Sequence, residues 1–166
     1  MNNIFSRLLL FGTFIIISCN ENSKGITIPK DSTTTLKKNE KNQAIFDRLI
    51  WTTDFDTIKH DFVLRQTRKV NSDTLSPQKV INQINSVWAE IFLQFKRISH
   101  DTIYVSIPDS YYLTERIGTS GASNYMASTT FSLTEVKGIK YVTYDFEEGE
   151  HLSPGTMKRD DYKNFR

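Results

Sequence analysis

Apolar residues recur along the chain with two different periods, and the switches between them mark out five elements from Ser76 to Phe146. Ser76-Pro77 is a helix-start signature, a hydroxyl N-cap followed by proline at the first helical position. Beyond it Val80, Ile84 and Val87 share one stripe, with Ile81 and Trp88 along its edge, which predicts a helix. Two continuations compete. Ile91, Phe95 and Ile98 would keep the helical face and extend it to about 22 residues. Against this, Ile91, Leu93 and Phe95 alternate with Phe92, Gln94 and Lys96, Ser99-His100-Asp101 is a turn cluster, and Ile103, Val105 and Ile107 alternate again. Period two on both sides of a turn predicts a hairpin, and Pro108, which cannot donate to a ladder, ends it.

The second helical pattern follows Gly118-Thr119-Ser120-Gly121. Counting 100° per residue from Ala122, Tyr125, Met126, Thr129, Leu133 and Val136 fall within about 60° of one line and predict a buried stripe. Phe131 lies opposite, among Asn124, Ala127, Ser128 and Glu135. That face is expected to be exposed, with Asn124, Ala127, Ser128 and Phe131 as a candidate interface for a weak homo-oligomer or a partner. A surface Phe131 without a role, or one covered by Tyr162 or Phe165 of the tail, are the alternatives. Gly138 stands where a left-handed residue after the helix is wanted, and Ile139 to Phe146 is β-branched and aromatic enough for a strand. Upstream, Ile45 to Trp51 fits a short helix or a strand, and His60 to Val70 alternates as a half-exposed strand that could extend the sheet. Pro154-Gly155 predicts a turn before a short closing helix or coil anchored by Tyr162 and Phe165.

The stretch Leu113 to Met126, followed by Ser132 to Val142 and by a loop carrying Gly149, His151, Pro154 and Gly155, resembles the GerMN domain of sporulation and germination lipoproteins. The similarity runs over roughly residues 75 to 163. It implies an α+β domain similar to ring-building motifs, ordered α, β, β, α, β, with two helices on one face of a small three-stranded sheet. It implies no catalytic chemistry and no link to spores. Leu152 departs from the pattern, in a loop where a small residue is expected.

The N-terminus adds a location. Arg7, an apolar run from Leu8 to Ile17, and then Ile16-Ile17-Ser18-Cys19 are similar to a bacterial lipobox. A run of this length, ten residues, spans about 15 Å as a helix, half of a hydrocarbon core near 30 Å, so a permanent span is disfavoured. The expectation is a signal peptide over 1–18, lipidation (palmitate-type acyl chains) at Cys19, a flexible linker over 19–43 rich in Asn, Ser, Thr and Lys, and one domain over 44–166. Inner and outer membrane both stay open.

Composition narrows the function classes. The chain has 166 residues, 38% hydrophobic and 24% charged, with net charge +2, and loss of Arg7 with the signal peptide would leave +1. No polybasic surface points to nucleic acid. Cys19 is the single cysteine, so there is neither a disulfide framework nor a thiolate metal site.

Three constellations were candidates for chemistry. Gly118-Thr119-Ser120-Gly121-Ala122 is one residue short of a nucleophile elbow and lacks the preceding strand, with His151 and Asp145 as conceivable partners. The same turn, Gly118 to Gly121, is a candidate anion or glycan site at a helix start, although no lysine follows Gly121. Glu147, Glu148, Glu150 and His151 could face a hard cation, but they fall at a strand end facing solvent with no second histidine nearby, and a charged edge explains the same residues at lower cost. The reading is a membrane-anchored, non-catalytic envelope lipoprotein acting as an interaction or assembly module, with no metal and no cofactor. A small hydrolase using Ser120 and His151, and an anion- or glycan-binding module, are the alternatives.

Overall fold

The computed structural model describes residues 43 to 165. Cys19, the signal peptide and nearly all of the expected linker therefore lie outside the described residues. The fold is α+β, with two sheets and several helices.

Strands β1 (Trp51–Asp56) and β2 (Asp61–Gln66) form one antiparallel hairpin. Its turn is held by Asp56, whose Oδ1 accepts the backbone N–H of Ile58 at 2.8 Å and of Lys59 at 3.1 Å. Those two bonds, that from Lys59 first, draw the Asp56 carboxyl below the usual range. The strand expected over 60–70 thus exists as β2, but it pairs with β1 and does not extend the main sheet. The ambiguous stretch at 45–51 resolves into a helical turn at 43–46 and the start of β1.

Helix α1 (Pro77–Val87) begins as its sequence predicts, with Ser76 Oγ accepting the N–H of Lys79 at 3.3 Å and Pro77 in the first turn. Val80, Ile81 and Ile84 are buried. The helix stops at Trp88, whose N–H still reaches the Ile84 carbonyl. What prevents a longer helix is Asn85: its carboxamide donates to the Leu93 carbonyl and accepts the Leu93 N–H, both at 2.9 Å. This side chain pairs with Leu93 as a neighbouring strand would, and the chain is extended from there.

The main sheet has four strands, β3 (Gln94–Ser99), β4 (Thr102–Ser106), β5 (Tyr141–Asp145) and β6 (Gly155–Met157), in that spatial order. The β3–β4 hairpin turns through His100 at φ 55° and carries a register shift between Phe95 and Arg97. β4 and β5 are parallel, and β6 adds antiparallel to β5. The expected three-stranded sheet is corrected to four by β6, which lies in the stretch read as a turn. Its three residues hold no apolar run, and pairing with β5 is what makes them a strand.

Ile103, Val105, Val142 and Tyr144 form the buried face of this sheet. Helix α2 (Gly118–Leu133) joins it there through a 3.0 Å hydrogen bond between Thr130 Oγ1 and the Tyr144 hydroxyl. The opposite side of α2 is also covered, because β1 lies against it and Ser132 Oγ accepts the N–H of Trp51 at 3.3 Å. A helix packed on both sides is buried nearly all round. Its hydroxyls fit a dry setting by turning back on the backbone, as when Ser128 Oγ donates to the Asn124 carbonyl at 2.8 Å.

This burial overturns the expected surface face. Asn124, Ala127, Ser128 and Phe131 are 9%, 0%, 2% and 4% exposed. The Phe131 ring meets Trp51 at 5.0 Å and Tyr162 at 6.5 Å, with the Arg159 guanidinium 5.0 Å from its centre. The tail-covered alternative is the one the packing matches, with β1 as a second cover. Gly138, at φ 83°, has the left-handed backbone expected of it. It lies in a turn beyond the Thr134 C-cap, however, not directly after the helix.

Candidate functional site

The helix start at Gly118 to Gly121 does not rise from an open loop. A π-helical turn (Tyr112–Arg116) runs into it, separated only by Ile117, and Gly118 at φ 74° takes up the change of direction. Neither Thr119 nor Ser120 caps the helix, since Ile117 occupies the cap position and no side chain bonds there.

The π-helical turn is the platform for the loop that follows β5. Ser110 Oγ donates to the Glu147 carbonyl at 2.9 Å, His151 N–H to the Thr114 carbonyl at 3.0 Å, and Glu150 N–H to Glu115 Oε1 at 2.9 Å. Gly149 sits so close that a Cβ built on it would lie 2.1 Å from Glu115 Oε1 and 2.6 Å from Thr114 Cβ. Only a residue without a side chain fits this approach. The loop closes on itself through a 3.1 Å bond from the Gly149 N–H to the Leu152 carbonyl. Leu152, where a small residue was expected, is half-buried and packs against the core.

This docking carries His151 to the helix start, where it meets Thr119 and not Ser120. The Thr119 Oγ1 to His151 Nδ1 distance is 3.3 Å. Among the described residues no hydrogen bond joins Ser120 to His151, and no carboxylate, Asp145 included, bonds to the imidazole. A hydroxyl becomes a nucleophile when a base lies close and is itself oriented by a third group. Here the hydroxyl is threonine's, the contact is long, and the orienting group is missing.

The electrostatics at this end are acidic. Asp109, Glu115, Glu147 and Glu148 line a cleft of about 230 Å³ against the π-helical turn. Three of them already accept local donors: Asp109 from the Tyr111 N–H, Glu115 from the Glu150 N–H and Glu148 from the Ser153 hydroxyl. An anion approaching the Gly118 to Gly121 turn would meet these charges, which opposes the attraction of a helix N-terminus. Among the described residues no group of three or more His, Cys, Asp or Glu side chains is arranged to hold a metal ion, Glu147, Glu148, Glu150 and His151 included.

Two groupings escaped the sequence reading. Trp51, Glu135 and Arg159 converge from three separated segments, a closure that no local spacing signals. Phe46, Phe62, Trp88 and Asn124 line an uncharged cleft, for which the only hint was Trp88 on the edge of its helical stripe. In comparisons with known proteins, no family model, no curated protein and no solved structure matches this chain.

Proposed function

We propose that the protein is a membrane-anchored envelope lipoprotein whose folded part is a non-catalytic, GerMN-like interaction module, with two helices against one face of the main sheet in the manner of a ring-building motif. Attachment in this reading runs through acyl chains on Cys19, supported by the apolar run Leu8 to Ile17 ending in Ile16-Ile17-Ser18-Cys19. Among the described residues no helix is long and apolar enough to cross a membrane. The order α1, β3, β4, α2, β5 supports the family comparison.

The observation that carries the interaction role is the outer strand β3. Among the described residues no strand pairs with its far side, and Phe92, Phe95 and Ile98 beside or along it are 58%, 40% and 43% exposed. An unpaired edge with apolar side chains is a template for another chain's strand. The reading puts the contact on β3 and not on the α2 face, which is filled from within. Lys96 and Arg97 on the same strand would oppose their own copies in a symmetric pairing, which favours a different envelope protein over self-association.

A photo-crosslinking residue at Phe95 in intact envelopes should give a discrete adduct that Ile98→Glu removes, while the same probe at exposed Lys137 gives none. Equal labelling from both positions would remove β3 as the contact. Cys19→Ala should leave a precursor that keeps residues 1–18. A freely soluble mature form beginning beyond residue 19 would end the anchor reading.

A further inference from the structure

A cleft of about 250 Å³ opens between the helical turn at 43–46, the β1–β2 hairpin, the end of α1 and α2. It differs from the acidic cleft at the π-helical turn, and from two clefts lined by Lys and Arg, in having no ionisable side chain in its wall. Its lining includes three aromatic residues, Phe46, Phe62 and Trp88, together with Gln43, Thr52, Thr53 and Asn124. Such a wall offers nothing to balance a charged ligand and suits a neutral one with flat apolar faces.

Two of the residues that line it carry buried polar atoms without partners. Trp88 Nε1 and Asn124 Oδ1 have no hydrogen bond, and Asn124 as a whole is 9% exposed. Buried polar groups are almost always paired, and of the six such unpartnered atoms among the described residues only this donor and this acceptor belong to residues lining one cleft, which makes it the place for a ligand that supplies both partners. A secondary amide answers both: its carbonyl accepts the indole N–H while its own N–H donates to Asn124. We propose that this cleft binds an N-acetylated sugar, its acetamido group between Trp88 Nε1 and Asn124 Oδ1 and its ring against the aromatic walls. A peptide carries the same amide, but a compact cleft lined by three aromatic residues matches the C–H faces of one pyranose better than an extended chain. The volume, below the roughly 300 Å³ at which drug-sized pockets begin, limits it to about one such ring. Both polar atoms are shielded from water. Binding in this proposal therefore requires a side chain to move, and Phe46, half-buried and edge-on to Trp88 at 5.1 Å, is the ring assigned to do so.

The test is a titration of the ¹⁵N-labelled full chain in detergent with N-acetylglucosamine, read at the two indole N–H signals. Trp51 is the internal reference because its indole is already bonded to Glu135 at 2.9 Å. The Trp88 signal should shift saturably and the Trp51 signal should not, and glucose at equal concentration should have no effect. Asn124→Leu should weaken binding about tenfold, the loss of one hydrogen bond. Should that variant lose its dispersed spectrum, Phe62→Ala, which also lines the cleft, provides the same reading from half-buried β2. An unmoved Trp88 signal would overturn the proposal and leave the cleft a water site. An equal shift with glucose would overturn the acetamido contact, and a shift with N-acetylalanine methylamide but not with the sugar would reassign the cleft to peptide.

Discussion

Trp51 and Arg159, from opposite ends of the folded region, meet on a single oxygen. Glu135 Oε1 accepts the Trp51 indole N–H at 2.9 Å and the Arg159 guanidinium beside it. Arg159 also donates to Thr134 Oγ1 at 2.7 Å and to the Phe131 carbonyl at 3.1 Å. These bonds tie β1, the end of α2 and the C-terminal 3-10 helix (Arg159–Phe165) together at one point. With Glu135 mostly buried and Arg159 about a third exposed, solvent screening reduces the ion pair but not the whole network. Glu135→Leu should destabilise the protein by about 2 kcal/mol and Glu135→Gln, which keeps an acceptor, by about 1 kcal/mol. Urea unfolding with unchanged m-values measures both, and equal losses would show that charge and not the shared acceptor matters.

Phe131 is a core residue, so its removal should be read in stability. Phe131→Ser deletes a ring packed against Trp51 and Tyr162 and should cost roughly 3 to 5 kcal/mol, enough to unfold a marginal domain. Thermal melting and sedimentation on the same sample would show early unfolding, with no change of association state before it.

Two glycines should respond for different reasons. Gly149→Ala forces a methyl group onto Thr114 and Glu115 and should cost about 1 to 3 kcal/mol, whereas Gly155→Ala, with Met157 Cε at 3.8 Å as its nearest neighbour, should be close to neutral. Gly138 has open space around its Cα, so Gly138→Val pays only for the left-handed backbone, about 1 kcal/mol or more. Comparing the three melts separates contact from strain.

Alkaline pH should loosen the core. Burial pushes the phenols of Tyr144 and Tyr125 up, and that of Tyr162 up to about 12, from an ordinary value of 10.0. Between these limits the unfolded chain has released the Tyr162 proton and the folded chain still holds it. The unfolded state then binds fewer protons, so stability falls as pH rises, from its full value below pH 10.0, by up to about 1.4 kcal/mol per pH unit for each such tyrosine. Denaturation midpoints from pH 9 to 12 should show this slope, and Tyr162→Phe should make it shallower.

The sequence alone determined the elements that depend on neighbours along the chain. Ser76-Pro77 starts α1 because a hydroxyl and a proline satisfy the first turn locally, and the alternation around Ser99-His100-Asp101 yields β3 and β4 because a strand's two faces are written in period two. Gly138 was legible for the same reason, its backbone being left-handed whatever surrounds it. Tertiary structure decided what depends on a second surface. A helical wheel ranks faces by polarity and assumes one side is wet, but α2 lies between the main sheet and the β1–β2 hairpin, so Asn124, Ser128 and Phe131 are buried on the side that its polar residues had marked as exposed. The partner of His151 was equally out of reach, because the approach of Gly149 to Thr114 sets where the loop lands, and it lands on Thr119, one residue before Ser120. Long-range closure of this kind is fixed by shape and by hydrogen bonds between distant segments, and spacing along the chain carries neither.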